Sequence, residues 1–202
     1  MQSPTSLHMQ ALKRIIRYLK STISHGLHRS KSSNQHIYAF CDVDWGGNTM
    51  DRRSIRAFLI YFGPNAISWS CKKQPTVARS STEVEYRTIA TTTTKVLWLQ
   101  QLLHELGVSI STPLIFSNNI GATYLCVNPV FHSRMKHVAI DFHFVCELVA
   151  KEKLNVSHVP TSHQLADLLT KPLSSSRHHF LKSKIGVIED TLILRGHVRV
   201  LT

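Results

Sequence analysis

Four residues in this sequence have the types and positions needed to cut a phosphodiester bond. Asp42, Glu85 and Asp167 are carboxylates, and Asn118 directly follows a short apolar run. Carboxylates that converge on one point repel one another unless cations lie between them. Two Mg²⁺ ions held there would clamp an in-line displacement, because one activates water while the other stabilises the leaving oxygen. These residues therefore raise the hypothesis of a two-metal nuclease.

The first half of the chain supplies elements that could position two of these residues. Turns rich in Gly, Asn, Asp and Pro join three strand-like runs at 37–43, 54–62 and 65–72, which predicts an antiparallel meander. A long helix is predicted from about Ser81 to Leu106, because apolar residues recur there at a spacing of about 3.6. Ser80 and Glu83 form a capping-box pattern at its start. Glu85 would lie one turn into this helix.

In the second half of the chain, strands alternate with helices. We predict a strand at 114–117, a helix from about Asn119, a second helix around 138–149 and a strand at 154–159. A last helical region begins at Leu165, is interrupted by Pro172 and resumes near Arg177. This order predicts an α/β fold in which a mixed sheet carries helices on its faces. In such a fold the four candidate residues can converge.

Composition indicates one domain with short appendages. The chain has 202 residues, of which 43% are apolar and 18% are charged, so it can bury one sizeable core. Lys and Arg outnumber Asp and Glu by 24 to 12, and the formal charge of +12 favours a polyanionic partner, although ribosomal and chromatin proteins share this profile. The four cysteines form no CxxC pair, and we interpret them as reduced core thiols. No membrane partner is expected, because the longest apolar run, 57–62, is far shorter than the roughly 20 residues of a membrane span.

The N-terminal segment predicts a cationic amphipathic helix over about 7–19. Its apolar face could lie on a membrane or be bound by a calmodulin-like protein, but docking on a neighbouring domain is the more common role. The stretch from Ser21 to Gln35 is rich in Ser and His, which predicts a linker.

Several strings of residues resemble the ribonuclease H domain of copia-type LTR retrotransposon Pol polyproteins, and they occur in the order of that family. They extend over about 38–187 and comprise Cys41–Gly47, Asp51–Ser54, Ile67–Ser70, Lys72–Val77, Arg79–Tyr86, Asn128–His132, Lys136–His137, Asp141–Val145 and Gln164–Pro172. The resemblance implies a ribonuclease H-like fold with a five-stranded mixed sheet. It also implies an enzyme that cuts the RNA strand of RNA/DNA hybrids with two Mg²⁺ ions.

The resemblance assigns roles by position. Asp42 would contact both metal ions, Glu85 and the residue at 118 would share one, and Asp167 would bind the other. His158 lies where related enzymes have a mobile histidine that helps product leave, and His163 is a rival for that role. Glu83 and Asp44 have better explanations in a helix cap and in a turn or supporting hydrogen bond. The expected contacts to nucleic acid are Lys72, Lys73, Arg79, Ser81 and Lys136.

The resemblance also divides the chain. Residues 1–35 would be a remnant of the reverse transcriptase connection helix and a linker, 36–187 the ribonuclease H-like domain, and 188–202 a C-terminal tail. The parent reverse transcriptase domain is absent, because the chain has no room for it and no paired-aspartate polymerase motif. The expected locations are the cytoplasm, a virus-like particle or the nucleus.

One departure from the family decides the expected activity. The family has Asp-Asn where this chain has Asn118-Asn119, and the hairpin and position 139 also differ, with Ile55, Arg56, Ala57 and Ala139. An amide oxygen can contact Mg²⁺ but brings no charge, so we expect weak or absent hydrolysis. Three hypotheses remain: an impaired hybrid nuclease, an inactive domain that still binds nucleic acid, and a translated relic of a retroelement.

Overall fold

A five-stranded sheet forms the centre of the computed structural model, which describes residues 3–47, 50–78, 80–128 and 138–189. The strand order is β4-β3-β2-β5-β6. Strands β2, β3 and β4 are antiparallel neighbours, whereas β5 and β6 run parallel to β2. The bounds are Ile37–Asp44 for β2, Ile55–Phe62 for β3, Asn65–Lys73 for β4, Leu114–Ser117 for β5 and Asn155–His158 for β6. The predicted mixed sheet of five strands is confirmed.

Helices cover both faces of this sheet, as the sequence predicted. On one face lie α2 (Ser81–Glu105), α3 (Ile120–Val127) and α4 (Ala139–Ala150), which share the larger core with the sheet. On the other face, Ile185 of α6 (Ser175–Ile185) and Leu168 of α5 (Asp167–Thr170) pack in a smaller core. Strand β2 serves both cores because its side chains alternate. Ala39 and Cys41 belong to the larger core, and Tyr38 and Phe40 pack against the smaller one.

Helix α2 forms despite six threonines in its sequence. The Ser80 hydroxyl accepts a hydrogen bond from the Glu83 backbone amide and so caps the first turn. Thr88 and Thr91–Thr94 each donate a hydroxyl to the carbonyl four residues earlier, at 2.8–3.1 Å. Such local bonds satisfy hydroxyls that would otherwise be buried without a partner. The helix is therefore continuous from Ser81 to Glu105.

A small second sheet joins two short segments that precede and follow the main sheet in the sequence. Strand β1 (His25–Leu27) lies within the stretch whose composition predicted a linker, and it pairs antiparallel with β7 (Val187–Glu189). Local pattern does not predict β1, because three residues are too few to show a period of two. Before it, helix α1 (Ser6–Ser21) contains no buried residue, and its apolar side chains are exposed.

The cysteines match the prediction only in part. All four are free thiols, and Cys41 and Cys126 are buried in the core as expected. Cys71 instead lies exposed on the edge strand β4, where its thiol donates to the Leu169 carbonyl at 3.0 Å. In the part of the chain that the structure describes, no helix is long and apolar enough to cross a membrane.

Candidate active site

Asp42 lies near the end of β2 and is completely buried. Its carboxylate accepts hydrogen bonds from the Thr170 hydroxyl and from the Lys171 ammonium, whose nitrogen is 3.0 Å away. A buried carboxylate needs such partners, because water no longer solvates its charge. Residues 170 and 171, at the end of α5, therefore hold the charge of Asp42.

Asp167 begins the short helix α5 and faces the same ammonium. Lys171 Nζ lies 2.6 Å from Asp167 Oδ1, and the Arg177 guanidinium is 3.8 Å from the other oxygen. The buried side chain of Gln164 fixes the loop that carries this aspartate. Its amide nitrogen donates to the Cys41 carbonyl at 2.9 Å, and its amide oxygen accepts from the Ala166 backbone at 3.1 Å. The loop is thus fastened to β2 one residue before Asp42.

Glu85 completes the group from α2. It is 6% exposed, and burial raises its pKa to about 8, with a further contribution from the nearby charge of Asp42. Lys171 and the Val43 backbone amide oppose this rise in pKa. One oxygen, Oε2, is buried and has no hydrogen-bond partner in the described part of the chain. A buried carboxylate oxygen without a partner is unusual, and it is the kind of group that a cation would satisfy.

The register of the sheet locates Asn118. Cys41 on β2 pairs with Ser117 on the parallel strand β5, so Asp42 and Asn118 follow directly on adjacent strands. Asn119 has a separate structural task, since its side-chain oxygen accepts from the Ala122 amide at 2.9 Å and caps α3. Of the two asparagines, Asn118 is the one at the candidate site, and it is half-buried there.

Of two other acidic residues, Glu83 has a structural role on α2, and the supporting role expected of Asp44 stays a prediction. Glu83 Oε1 lies 2.9 Å from Nη2 of Arg87, one turn along α2. The backbone amide of Glu83 donates to the Ser80 hydroxyl that caps the helix. Asp44 ends β2, and burial raises its pKa, an effect that Lys171 opposes. The structure thus brings Asp42, Glu85 and Asp167 together around Lys171 and leaves Glu83 in an ion pair of its own.

The oxygen-rich donor set is of the type that Mg²⁺ prefers. The orphaned oxygen of Glu85 also fits a cation site. The present arrangement, however, places an ammonium between Asp42 and Asp167. Within the described residues, no three acidic, histidine or cysteine side chains are grouped as a metal site requires. The residues therefore fit a divalent cation in chemical type, and Lys171 would have to move to admit it.

The remaining predicted residues lie around this group. His158 is exposed at the end of β6, beside Ser117. His163 is in a 3-10 turn (Thr161–His163), where its ring nitrogen is 3.0 Å from the Ser162 hydroxyl. Ser81 is the exposed first residue of α2, and Lys72 and Lys73 end β4, where Lys73 pairs with Asp51 at 2.8 Å. Arg79 and Lys136 lie outside the described residues.

Sequence reasoning gave no role to Thr170, Lys171 or Gln164, although all three lie in a string that it singled out. Lys171 follows Asp167 by four residues, which is the spacing of neighbours on one face of a helix. That spacing could have indicated the pair with Asp167. The contact with Asp42, 129 positions away, could not be read from local pattern.

Comparison with known proteins gives the same relationship as the motifs. The chain is 50% identical over 188 residues to the retrovirus-related Pol polyprotein from transposon RE1 of Arabidopsis thaliana, and 50% identical over 201 residues to that from transposon RE2. Identity to the Pol polyprotein from transposon TNT 1-94 of Nicotiana tabacum is 32% over 187 residues. These alignments cover 93–99% of this chain but only 13–14% of the polyproteins.

No family model matches the chain. Two solved structures with 10% and 15% sequence identity are similar to it, with TM-scores of 0.43 and 0.46. They are the N-terminal RNase H domain of a Mycobacterium tuberculosis protein fused to maltose binding protein, and LC11-RNase H1 in complex with an RNA/DNA hybrid. The alignments cover 73% and 66% of this chain.

Sequence motifs, sheet order and identity along nearly the whole chain agree with one another. The chain is a ribonuclease H-like domain related to one segment of the retrovirus-related Pol polyproteins of transposons.

Proposed function

We propose that this domain is an impaired ribonuclease H-type nuclease that acts on the RNA strand of RNA/DNA hybrids. The observation that carries the proposal is the cluster of three buried carboxylates, Asp42, Glu85 and Asp167, beside the end of β5. Acidic residues almost never lie buried together for stability alone, because each loses its hydration. The motifs shared with copia-type domains supply the choice of substrate.

The residues have distinct tasks in this proposal. Asp42 would be a ligand of two Mg²⁺ ions, Glu85 and Asn118 would hold one of them, and Asp167 would hold the other. When bound, the ions supply an activated water and charge stabilisation at the leaving oxygen. Without them, the raised pKa of Glu85, about 8, keeps this side chain protonated at neutral pH. Lys171 then balances the charges of the two aspartates. His158, exposed at the end of β6, is available to assist product departure.

Asn118 limits the activity that this site can reach. A carboxylate at this position would add one negative charge beside Asp42, where two divalent ions bring up to four positive charges. The amide keeps almost the same shape but removes that charge. Loss of a supporting group outside the metal ligands already lowers metal affinity or activity by about 10–100-fold. Loss of a ligand charge should lower it at least as far.

A second candidate function is nucleic-acid binding without cleavage. The specific observation that favours it is the Lys171 ammonium, which already neutralises the carboxylates that a metal ion would need. Because Asn118 brings no negative charge, a metal ion would compete less strongly with Lys171 for these carboxylates. A domain in this state would keep its basic surface and its fold while hydrolysing nothing.

Substitution of Asn118 by aspartate tests the two candidates against each other. We expect slight cleavage of a labelled RNA/DNA hybrid by the natural protein in Mg²⁺ or Mn²⁺, and a gain of at least about 10–100-fold in Asn118→Asp. Adding Asp42→Asn should abolish this gain. Asn119→Asp is the matched control, because it adds the same charge one residue further along and an aspartate still caps α3. It should leave the cleavage rate unchanged.

Two results would contradict the proposal in different ways. A natural protein as fast as Asn118→Asp would show that the amide is an adequate ligand. A folded Asn118→Asp variant without cleavage would favour the second candidate, nucleic-acid binding alone.

A further inference from the structure

A groove lies between the edge strand β4 and the solvent-facing side of α2. Its walls include Arg56 on β3, Lys72 on β4, and Thr91, Lys95 and Trp98 on α2. Two serines of β4 also line it, together with apolar residues such as Phe58 and Leu99. The groove extends from Thr88 to Trp98 along the helix, which corresponds to about 15 Å at 1.5 Å per residue.

The charged side chains that line this groove are all basic. Arg56, Lys72 and Lys95 line it, and none of the described residues that line it is acidic. Asp141 lies close enough to interact with Arg56 and offsets part of that charge. Lys72 and Lys95 are exposed, so their ammonium groups remain available at the surface. A groove with this charge complements a chain of phosphates.

An exposed tryptophan gives the groove a second property. Trp98 is 59% exposed, although an indole of this size is usually largely buried. Lys95 Nζ lies 5.8 Å from its ring centroid, so cation and aromatic surface are adjacent. Basic grooves that carry aromatic side chains bind single strands, because unpaired bases stack on the rings while the backbone follows the cations. Bases within a duplex are already stacked on each other and cannot do this.

The groove begins beside the candidate active site. Arg56 pairs with Val43 on β2 and with Lys72 on β4, so one end of the groove lies in the row of residues next to Asp42. The other end, at Trp98, lies further along α2, away from Glu85. Thr88, at this end of the groove, lies one helical turn from Glu85 on α2, so a strand that passes Glu85 has a short path into the groove.

We propose that the groove between β4 and α2 is a binding site for single-stranded nucleic acid, with phosphates at Lys72 and Lys95 and one base stacked on Trp98. This site goes beyond the proposed function, because it requires neither a hybrid nor a metal ion. It would hold an unpaired extension of a substrate, and it would do so even in a protein that cannot hydrolyse.

Binding of a dye-labelled single-stranded oligonucleotide to the full chain, in EDTA, tests this site. Trp98→Ala should lower affinity about fivefold or more, since stacking of one base is worth that much. Lys95→Glu should lower affinity by a similar factor, because it reverses the charge of a side chain that would contact a phosphate. Trp69→Ala is the matched control for the indole, because Trp69 is 58% exposed. It borders the groove on β4, but strand alternation turns its side chain to the opposite face with Cys71. Lys153→Glu, before the opposite edge strand β6, is the matched control for charge.

The proposal is supported if only the two groove variants lose affinity and the two controls bind like the natural protein. It is overturned if Lys153→Glu weakens binding as much as Lys95→Glu, because binding would then follow general surface charge. It is also overturned if Trp98→Ala binds the oligonucleotide as tightly as the natural protein. Because EDTA excludes metal-dependent cleavage, neither result depends on whether the domain is a nuclease.

Discussion

Lys171 is the residue that balances the charge of the two buried aspartates. Its ammonium lies between Asp42 and Asp167, whose side chains are 1% and 4% exposed, while its own side chain is 29% exposed. Two buried carboxylates left without a cation would repel each other and would lack solvation. The lysine therefore has the place and the charge of a metal ion, and the two should compete for the same oxygens.

Lys171→Met should destabilise the protein in EDTA by about 2–4 kcal/mol, because it leaves buried carboxylates unpaired. The lower end applies if water reaches the site past the partly exposed lysine. Denaturant unfolding measures this loss. The same variant should gain more thermal stability from added Mg²⁺ than the natural protein does, since the ion no longer has to displace an ammonium.

Lys73→Met is the matched control for this prediction. Lys73 also pairs with an aspartate, Asp51, but both side chains are about 40% exposed. Exposed ion pairs contribute about 0–1 kcal/mol. Equal losses of stability in Lys73→Met and Lys171→Met would contradict the role assigned to Lys171.

Glu85 should make stability fall as pH rises. Its pKa in the folded protein is about 8, whereas its ordinary value is 4.5. Between these values the folded protein keeps a proton that the unfolded chain has lost, so raising the pH favours unfolding. In EDTA the free energy of unfolding should decrease by up to about 1.4 kcal/mol per pH unit across this window.

Glu85→Gln tests this prediction, because an amide does not titrate. The variant should have a flatter dependence on pH from 5 to 8 and should be more stable than the natural protein at the upper end. An unchanged slope in the variant would show that another group causes the dependence.

The sequence predicted the carboxylates of the candidate site but not the side chains that bind them. Asp42, Glu85 and Asp167 were found because the motifs and the predicted elements placed them where they could converge. Gln164 and Thr170 were not assigned, because their contacts with β2 join residues 123 and 128 positions apart. Which polar group a buried carboxylate binds depends on the packed tertiary structure, and local pattern does not carry that information.

Among the elements, strong periodicity decided what could be predicted. Helix α2 and strands β2 to β5 were predicted within a residue or two, because each carries a clear spacing of apolar residues. Strand β1 was missed, since it has three residues and its partner β7 lies near the other end of the chain. Further bonds hold the region around it: the His28 amide donates to the Gly186 carbonyl at 2.8 Å, and Ser30 and Asn65 exchange two hydrogen bonds.

Two truncations should separate the roles of α1 and β1. A chain that begins at Ser24 loses α1, which has no buried residue, and should unfold at the same denaturant concentration as the full chain. A chain that begins at His36 also loses β1, and with it Leu27, which packs on the smaller core. It should be less stable by about 1–3 kcal/mol. Equal stability of the two truncated chains would mean that β1 contributes nothing to the fold.

For the molecule as a whole, the basic surface and the acidic site oppose each other. The formal charge is +12, yet three carboxylates are concentrated at one end of the central sheet. A polyanion is attracted to the surface and repelled from the cluster unless cations neutralise it. The composition predicted the attraction. The neutralisation by Lys171 became visible only once the sheet and α5 were in place.

The small sheet of β1 and β7 has a consequence for how such a domain can be joined to other proteins. His25 pairs directly with Glu189 in this sheet, so the two ends of residues 25–189 are adjacent. A unit with adjacent ends can be inserted into a loop of a host protein without forcing the flanking host residues apart, and its ends can be joined to make a circular permutant. The paired strands therefore allow this domain to be moved as one unit into a loop of another protein.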